Sequence, residues 1–216
     1  PGGERLPALL PFEALKLAAG LLLLSPFTPL LFMGEEYGEE KPFLFFTDYG
    51  DPLVTERMQK GRRREMSGPG RAGEASDPQS AESHLRSIPD PSAGKAGRQR
   101  SLLSWYRELI RLRKRYLLPG RAGWKTGQGS YHASLLMSWH AEGNHLLAAA
   151  NCSEEPCQVG LPSGMALSRP LLFSAHARWG GPLKDGLSPL AQDAAGRPCL
   201  HLPGHAFALM LAGPEG

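Results

Sequence analysis

Two adjacent carboxylates that follow a short apolar run are the first candidates for chemistry in this sequence. Glu35 and Glu36 come directly after Gly34, and the apolar run before them spans Pro29–Met33. A short continuous apolar run predicts a strand covered on both faces, as in a parallel sheet with helices outside it. In an α/β barrel the reactive face lies at the C-terminal ends of the strands. We therefore expect Gly34 to turn the backbone there and one carboxylate to face a ligand.

The two carboxylates do not form the catalytic pair of a glycosidase. A retaining pair flanks one bond with its carboxyl groups about 5–5.5 Å apart. Adjacent side chains of an extended chain point to opposite sides, so Glu35 and Glu36 cannot easily bracket one substrate. Each has an alternative role, either a hydrogen bond to loop backbone or an ion pair with an arginine of Arg62–Arg64. A direct contact to sugar by at least one of them stays open.

An aromatic-rich loop follows the carboxylates and offers stacking surfaces for sugar rings, although packing within the loop is an equally simple role for its rings. Asp48 either binds a hydroxyl group or caps the turn that follows. The aromatic side chains of the loop are Tyr37, Phe43, Phe45, Phe46 and Tyr49. The candidate substrate-binding residues are therefore Glu35, Glu36, Tyr37, Phe46 and Asp48.

Other constellations lack the context that their chemistry needs. Ser138, His140 and Asp185 have no nucleophile elbow, and GRAGWKTGQG lacks the lysine position and flanking elements of a phosphate-binding loop. Cys199 with His201 has no second ligand pair at zinc-type spacing. We expect free cysteines in a reduced cytoplasmic protein, with no metal and no cofactor. The three cysteines are Cys152, Cys157 and Cys199.

Composition excludes several classes of partner. The 216 residues are 41% apolar and 21% charged, which is ordinary for a soluble globular protein. The net charge of +3 comes without a basic stripe interleaved with aromatics, so we expect no nucleic acid. The apolar run Ala14–Leu24 is too short to span a bilayer and is not a signal peptide, so we expect no membrane. The chain opens at Pro1 without a methionine, and we expect it to begin inside a larger protein.

The N-terminal elements must position the carboxylates. A helix is predicted over Phe12–Leu24, buried beyond Lys16 because it is apolar on nearly every side. A buried helix and a buried strand are half of an α/β unit, and its neighbours would have to precede Pro1. We expect a loop over Gly34–Glu65 with a helical turn from Asp51 to Met58. Composition predicts an exposed or partly disordered insert over Met66–Arg100.

An amphipathic helix is predicted over Leu102–Tyr116, with Ser101 as its cap. Its basic side chains Arg111, Arg113, Lys114 and Arg115 read either as an anion site or as a solvated face, and the solvated face is preferred. The buried stripe is predicted to contain Leu102, Trp105, Leu109, Leu112 and Tyr116, widened by Tyr106 and Ile110.

Short strands separated by turn formers predict a small antiparallel sandwich after Gly120. The boundary is placed near Leu118–Gly120. This gives a barrel remnant over 1–118, with the loop insert near 66–100, and a β-sandwich over 119–216. We expect Trp124, Trp139 and Trp179 in the core. The predicted strands are Tyr131–His140, His145–Asn151, Cys157–Leu161, Pro198–Leu202 and His205–Leu211.

Six stretches of the sequence resemble segments of one enzyme family. They are SPFTPLLFMGEEYGEEKPFLFFTDYGDP followed by GRRRE, DPQSAESHLRS, SWYRELIRLRKR, NCSEEPCQVGLP and LPGHAFALML. Together they resemble the C-terminal part of the malto-oligosyltrehalose trehalohydrolases, which belong to the α-amylase superfamily, glycoside hydrolase family 13. The resemblance is specific over Phe12–Glu65, diffuse over Met66–Arg100 and limited to the fold beyond Gly120.

The resemblance implies a (β/α)8 TIM barrel followed by an antiparallel β-sandwich. It implies retaining hydrolysis, without a metal, of the α-1,4 bond that joins trehalose to a maltooligosaccharide. Pro29–Met33 would be the eighth strand, and Glu35 and Glu36 would line the rim that faces the sugar. The family's loop after DPQSAESHLRS usually contains Leu-Asp-Trp, whereas this chain has Ile88-Pro89-Asp90-Pro91.

The resemblance places all three catalytic carboxylates of the family before this chain, on strands four, five and seven. The third lies in an Asn-His-Asp motif that this sequence lacks. We therefore expect no catalytic residue in this chain and no glycosidase activity from it alone.

Two other functions remain as alternatives. A fragment of a 1,4-α-glucan branching enzyme would share the barrel and the sandwich. A non-catalytic carbohydrate-binding module would use the sandwich itself, and exposed coplanar tryptophans on one sandwich face would support it.

Overall fold

The structure, a computed structural model, describes residues 2–66, 76–117, 125–128, 133–141, 144–161 and 165–214. The helices of these ranges are α1 (Leu6–Leu9), α2 (Phe12–Leu23), α3 (Pro52–Met66), α4 (Ala81–Ser87) and α5 (Gly97–Tyr116). The strands are β1 (Lys125–Gln128), β2 (Ser134–Ala141), β3 (Asn144–Asn151), β4 (Cys157–Gly160), β5 (Met165–Phe173), β6 (Leu190–Gln192), β7 (Pro198–Leu202) and β8 (Phe207–Pro214).

The strands form two antiparallel sheets, and helices cover the larger one. The five-stranded sheet has the order β1-β2-β3-β8-β5, and the three-stranded sheet has the order β4-β7-β6. Along β3, Leu146 and Ala148 pack with the helices, whereas Leu147 and Ala149 pack with the smaller sheet. Successive side chains of a strand point to opposite faces. The strand is therefore apolar on both faces, and its sequence lacks polar alternation.

Helix α2 packs tightly on the five-stranded sheet, as its apolar sequence predicts. A Cβ at Gly20 would lie 2.7 Å from the Phe207 ring, so a glycine permits this close approach. Lys16 is fully buried, which the sequence did not indicate. Its Nζ donates to the Ser174 carbonyl at 2.6 Å and pairs with Glu13 at 2.9 Å, so α2 is tied to the end of β5.

Helix α5 confirms the predicted apolar stripe but begins earlier than expected. Ser101 is not its cap, because the helix starts at Gly97 after Ala96, which makes no side-chain capping bond. Arg113 is also not on a solvated face. Its guanidinium donates to the carbonyl oxygens of Leu23 and Phe27, among others, at 2.6 and 2.8 Å. The side chain therefore anchors the chain that leaves α2.

The sandwich is confirmed, and the three strands missing from the sequence prediction, β1, β5 and β6, all lie at sheet edges. β5 contains Pro170, which edge positions tolerate but which weakens a strand pattern, and β6 has only three residues. Trp139 and Trp179 are buried as expected. Trp124 and the predicted boundary at 118–120 lie outside the described residues. None of the helices in these ranges has the length and apolar character needed to span a bilayer.

The predicted strand Pro29–Met33 is wrong for this structure, because no helix or strand forms there. Leu30 is 87% exposed and Phe27 is 75% exposed. A strand requires neighbouring backbone as its hydrogen-bond partner. No described strand pairs with this segment. Its apolar side chains therefore form an open surface, which we call the apolar edge (residues 27–33).

Two predictions for the following region are corrected. Helix α3 extends to Met66, so GRRRE is helical and the expected loop ends at Asp51. The expected insert contains α4, a 3-10 turn at Pro91–Lys95 and the start of α5 in its described part. Ser87 of α4 is buried, and its Oγ accepts from the Leu44 amide at 3.0 Å. The polar composition of the described part of this segment therefore reflects helix caps, turns and contacts to the loop. Residues 67–75 lie outside the described ranges.

Candidate functional site

The two candidate carboxylates lie on a short 3-10 turn, Glu35–Tyr37, that is closed by glycines at both ends. Gly34 has φ +86° and Gly38 has φ +71°, values that L side chains rarely adopt. A Cβ at Gly34 would also lie 2.7 Å from Glu39. The backbone amide of Glu39 donates to the Gly34 carbonyl at 2.9 Å, which completes a compact carboxylate turn (residues 34–39).

Glu35 and Glu36 are both half-buried on this turn, next to α5. Glu35 Oε2 accepts a hydrogen bond from the Phe32 amide at 3.0 Å, so the backbone role proposed for one glutamate is observed. The described ion pair of Arg62 is with Glu65, at 3.0 Å, rather than with the turn. Burial, and then the charges of Glu35 and Glu36, raise the pKa of Tyr106 on α5.

Tyr37 supports the turn from inside. Its ring is 5% exposed, and its hydroxyl donates to Glu39 Oε2 at 3.2 Å. Burial, together with the neighbouring Glu39 carboxylate, raises the pKa of Tyr37 to about 12. The hydroxyl therefore stays protonated and donates at neutral pH, and the buried ring presents no stacking surface.

Glu39 is a buried carboxylate that the sequence analysis missed. Burial by itself would raise its pKa, but hydrogen bonds from the backbone amides of Lys41 and Asp90, from Tyr37 and the charge of Arg5 hold that pKa below its usual value. The Lys41 amide lies 2.9 Å from Glu39 Oε1. Glu39 therefore joins the carboxylate turn to the loop at Asp90, where this sequence has no Leu-Asp-Trp.

Arg5 is the second group that sequence reasoning missed. It is 7% exposed, and its Nε donates to the Lys41 carbonyl at 2.7 Å. Its Nη1 donates to the Met33 carbonyl at 2.6 Å, and the guanidinium lies 4.9 Å from the centre of the Phe32 ring. Arg5 thus fixes both ends of the carboxylate turn. No local pattern signals this, because the contacts join residues 28 and 36 positions apart.

A cavity of about 340 Å³ lies between the N-terminal residues and the carboxylate turn. Its wall combines one guanidinium, carboxylates and aromatic rings, so it offers a hydrogen-bond donor, acceptors and an apolar face together. We call it the turn cavity. Its lining residues are Gly3, Glu4, Arg5, Leu6, Pro7, Leu9, Phe32, Glu35, Glu39 and Phe43.

A chain of edge-to-face aromatic contacts runs from the turn cavity along the loop. The ring centres of Phe32 and Phe43 lie 5.0 Å apart, and those of Phe43 and Phe46 lie 5.8 Å apart. The ring centres of Phe46 and His84 lie 5.1 Å apart. Phe46 is nevertheless 36% exposed, so its ring combines loop packing with an accessible face.

Asp48 is exposed further along the loop and does not line the turn cavity. The capping role considered for it belongs to Asp51, whose Oδ1 accepts from the Leu53 amide at 2.8 Å. Gln79 holds this part of the loop in place through Thr47 and Tyr49, with contacts of 3.0 to 3.2 Å.

The structure thus brings Glu35, Glu36 and Tyr37 together, links Phe46 to them through aromatic rings and leaves Asp48 apart. The arrangement suits the binding of a neutral hydroxylated molecule better than acid–base catalysis. Within the described residues, no group of three or more histidine, cysteine, aspartate or glutamate side chains could hold a metal ion. The cysteines are free thiols, and burial raises the pKa of the Cys157 thiol.

No protein-family profile matches the chain. Curated proteins do match it: malto-oligosyltrehalose trehalohydrolase from Saccharolobus solfataricus is 36% identical over 172 residues, 77% of this chain and 27% of that protein. The enzyme of the same name from Rhizobium sp. is 44% identical over 113 residues, 52% of this chain and 19% of that protein. The chain thus spans about a quarter or less of the length of these relatives.

Solved structures agree with the expected fold. A Salmonella typhimurium protein whose name places it among the α-amylases is 29% identical, with a TM-score of 0.72 over 97% of this chain and 32% of that chain. Trehalulose synthase from Pseudomonas mesoacidophila, 19% identical, has a TM-score of 0.56 over 93% of this chain and 38% of its own. The chain therefore has the fold of the end of an α-amylase-type barrel followed by its antiparallel sandwich.

Proposed function

Because this chain is a relative of the malto-oligosyltrehalose trehalohydrolases, we propose that it forms the C-terminal part of a retaining α-glycoside hydrolase. The proposed enzyme releases trehalose from maltooligosyl trehalose by cleaving the adjacent α-1,4-glucosidic bond. The observation that carries this proposal is the 36% identity over 172 residues to the Saccharolobus solfataricus enzyme. We also propose that the enzyme is cytoplasmic.

In this enzyme the carboxylate turn would sit at the rim that faces the sugar. Glu35 and Glu36 supply acceptors for sugar hydroxyl groups, and the accessible face of Phe46 supplies a stacking surface. Asp48 contacts a more distant unit of the oligosaccharide, because it is exposed beyond the turn cavity. Tyr37, whose ring is buried, acts by holding the turn rather than by touching substrate.

The catalytic carboxylates of the proposed enzyme come from segments that would precede this sequence. Glu39, the buried carboxylate of the turn, already accepts hydrogen bonds from Tyr37, Lys41 and Asp90, so its role in the proposal is structural rather than catalytic. The chain alone should therefore bind sugar without hydrolysing it.

The branching-enzyme alternative has less support. All seven curated relatives carry the trehalohydrolase name. Exposed tryptophans would have supported the binding-module alternative, but Trp139 and Trp179, the two of the three candidates that lie among the described residues, are both buried.

A chimera tests the proposal. This chain would replace the aligned C-terminal segment of the Saccharolobus solfataricus enzyme, and trehalose release from maltooligosyl trehalose would be assayed. The proposal predicts trehalose release by the chimera and none by the same enzyme without a C-terminal segment or by this chain alone. A folded chimera that forms α-1,6 branches and releases no trehalose would contradict it.

A further inference from the structure

Arg5, which lines the turn cavity, carries a buried donor that the described residues leave unsatisfied. The Nε and Nη1 atoms of Arg5 donate to backbone carbonyls, whereas Nη2 is buried and has no hydrogen-bond partner among the described residues. The side chain is 7% exposed and lines the cavity. Buried polar groups are nearly always paired in native proteins, and a charged donor left alone is strongly unfavourable. An oxygen atom of a bound molecule would satisfy it.

The charges around the turn cavity select a neutral molecule. Three carboxylates, Glu4, Glu35 and Glu39, line it together with the single guanidinium of Arg5. An anion would meet a net negative wall, and a cation would lie beside a buried guanidinium. A neutral molecule with several hydroxyl groups meets neither penalty.

Glu35 is an acceptor available to such a molecule. Glu39 already accepts hydrogen bonds from Tyr37, Lys41 and Asp90. Glu35 accepts one hydrogen bond among the described residues, from the Phe32 amide to Oε2. A carboxylate has about four acceptor positions on its two oxygens. Glu35 therefore retains capacity to accept from a hydroxyl group.

The remaining wall is apolar and small. Phe32 and Phe43 meet edge-to-face, and Leu6, Pro7 and Leu9 complete the wall. Such a surface suits the C–H face of a sugar ring. The volume of about 340 Å³ lies near the lower end of the roughly 300–1,000 Å³ typical of small-molecule pockets. It thus suits one ring rather than an extended oligosaccharide.

We propose that the turn cavity binds a single neutral pyranose unit, with Arg5 Nη2 donating to a ring or hydroxyl oxygen and Glu35 accepting from a hydroxyl group. The inference deepens the proposed function, on which it rests for the class of ligand, and assigns one glucosyl unit to this cavity. Arg5 then acts both as a brace for the carboxylate turn and as a direct contact.

Nuclear magnetic resonance on the isotope-labelled chain tests the site without any catalytic step. Titration with trehalose or with maltose, each of which presents glucosyl units, should produce saturable shifts at the amides of Gly3, Leu6, Phe32 and Phe43. Sodium acetate at the same concentration should produce none there. Absence of shifts with both sugars, or equal shifts with acetate, would overturn the assignment.

Matched arginine variants locate the contact. Arg5→Lys keeps the charge but replaces the three guanidinium nitrogens by one ammonium group, which cannot bond the Lys41 and Met33 carbonyls and a sugar oxygen in the same geometry. We expect sugar affinity to fall about tenfold or more, as for a lost hydrogen bond to a charged group. Arg98→Lys is the control, because Arg98 lies 5.5 Å from the Phe12 ring and lines a separate cavity of about 360 Å³. An equal loss in both variants, or a loss only in Arg98→Lys, would overturn the proposal.

A second variant serves if Arg5→Lys does not fold. Leu9 lines the turn cavity and is 64% exposed, so Leu9→Trp should fill the space without disturbing the core. We expect it to abolish the sugar-dependent shifts, and unchanged binding would overturn the site. If the chimera releases trehalose but the chain shows no sugar-dependent shifts, the pyranose site in the turn cavity is refuted and the hydrolase proposal stands. If the chain shows sugar-dependent shifts but the folded chimera is inactive, only the hydrolase proposal is refuted.

Discussion

The three-layered core and the apolar edge are both rich in large apolar residues, yet they differ in what covers those residues. In the core, Leu146 and Phe207 have no exposed surface. In the apolar edge, Phe27 and Leu30 are 75% and 87% exposed. In the core, the helices and sheets of this chain cover one another's apolar faces. The apolar edge has no such complement among the described residues, and exposed apolar patches of this kind mark interaction surfaces.

The apolar edge is nevertheless held in place at both ends. Arg113 of α5 donates to the Phe27 carbonyl at 2.8 Å, and Arg5 donates to the Met33 carbonyl at 2.6 Å. Each arginine thus fixes backbone while the side chains between them stay open. The apolar edge therefore has a fixed backbone and an open apolar surface, as expected of an interaction surface.

The largest expected effect is the loss of a core tryptophan. Trp105 is fully buried, donates to the Lys16 carbonyl at 2.9 Å and packs against Trp179. Trp105→Ala should lower the free energy of unfolding by about 4 kcal/mol. Phe27→Ala in the apolar edge should change it by less than about 0.5 kcal/mol. Urea denaturation measures the free energy of unfolding of both variants. A similar decrease in the two variants would contradict the difference in burial between the core and the apolar edge.

Glu39 stabilises the carboxylate turn, which lies between the two regions. Glu39→Gln should lower the free energy of unfolding near pH 7 by about 2 kcal/mol, since it removes an ionised acceptor of several hydrogen bonds. The pKa of Glu39 is lowered in the folded state from 4.5. The stabilisation is thus present above pH 4.5 and is lost as the pH falls through the folded-state pKa.

Urea denaturation between pH 3 and pH 7 measures this prediction, with Glu40→Gln as the control because Glu40 is an exposed neighbour. The gap between wild type and Glu39→Gln should narrow on acidification, whereas Glu40→Gln should follow wild type throughout. A gap that stays constant with pH would contradict the ionised role of Glu39.

Alanine substitutions at two helical glycines, Gly20 and Gly61, compare the stability effect of an added methyl group on a covered helix face and on an open one. Gly20→Ala places a Cβ 2.7 Å from the Phe207 ring, so we expect a loss of about 1–2 kcal/mol from overpacking. Gly61→Ala in α3 meets no atom within 4 Å and should stabilise by up to about 1 kcal/mol through helix propensity. Thermal denaturation shows whether each variant is more or less stable than wild type. Stabilisation by Gly20→Ala would mean that α2 packs less closely on the sheet than the structure shows.

The smallest expected effect on stability is at the apolar edge itself. Leu30→Lys should leave the free energy of unfolding of this chain within about 0.5 kcal/mol of wild type, because Leu30 is 87% exposed. The same change should reduce self-association, measured by light scattering, because it adds charge to an apolar patch. Global unfolding by Leu30→Lys would show that the side chain is already buried in this chain.

Sequence reasoning recovered the elements whose signal is local. The stripe of α5 and the apolar helix α2 follow from helical periodicity, and the central strands follow from apolar runs between turn formers. Strands β5 and β6 were not predicted, because Pro170 interrupts the apolar pattern of β5 and β6 has only three residues. The strand predicted at Pro29–Met33 did not form, since an apolar run specifies burial but cannot supply the neighbouring strand.

The candidate site was recovered only in outline. Glu35 and Glu36 were found from their place after an apolar run. Arg5 and Glu39 were not, because their roles depend on contacts such as that between Glu39 and Asp90, which are 51 positions apart. A single sequence gives no measure of which distant polar groups meet in the fold.

Amide hydrogen exchange at the apolar edge, measured in this chain alone and in the chimera with the Saccharolobus solfataricus enzyme, tests whether this surface pairs with barrel strands. If barrel strands of the proposed enzyme cover the edge, the amides of Leu30 and Leu31 should exchange rapidly in the chain alone. They should become protected by at least about a hundredfold in the chimera. Equally rapid exchange in a folded, active chimera would contradict the claim that this segment is built to pair with them.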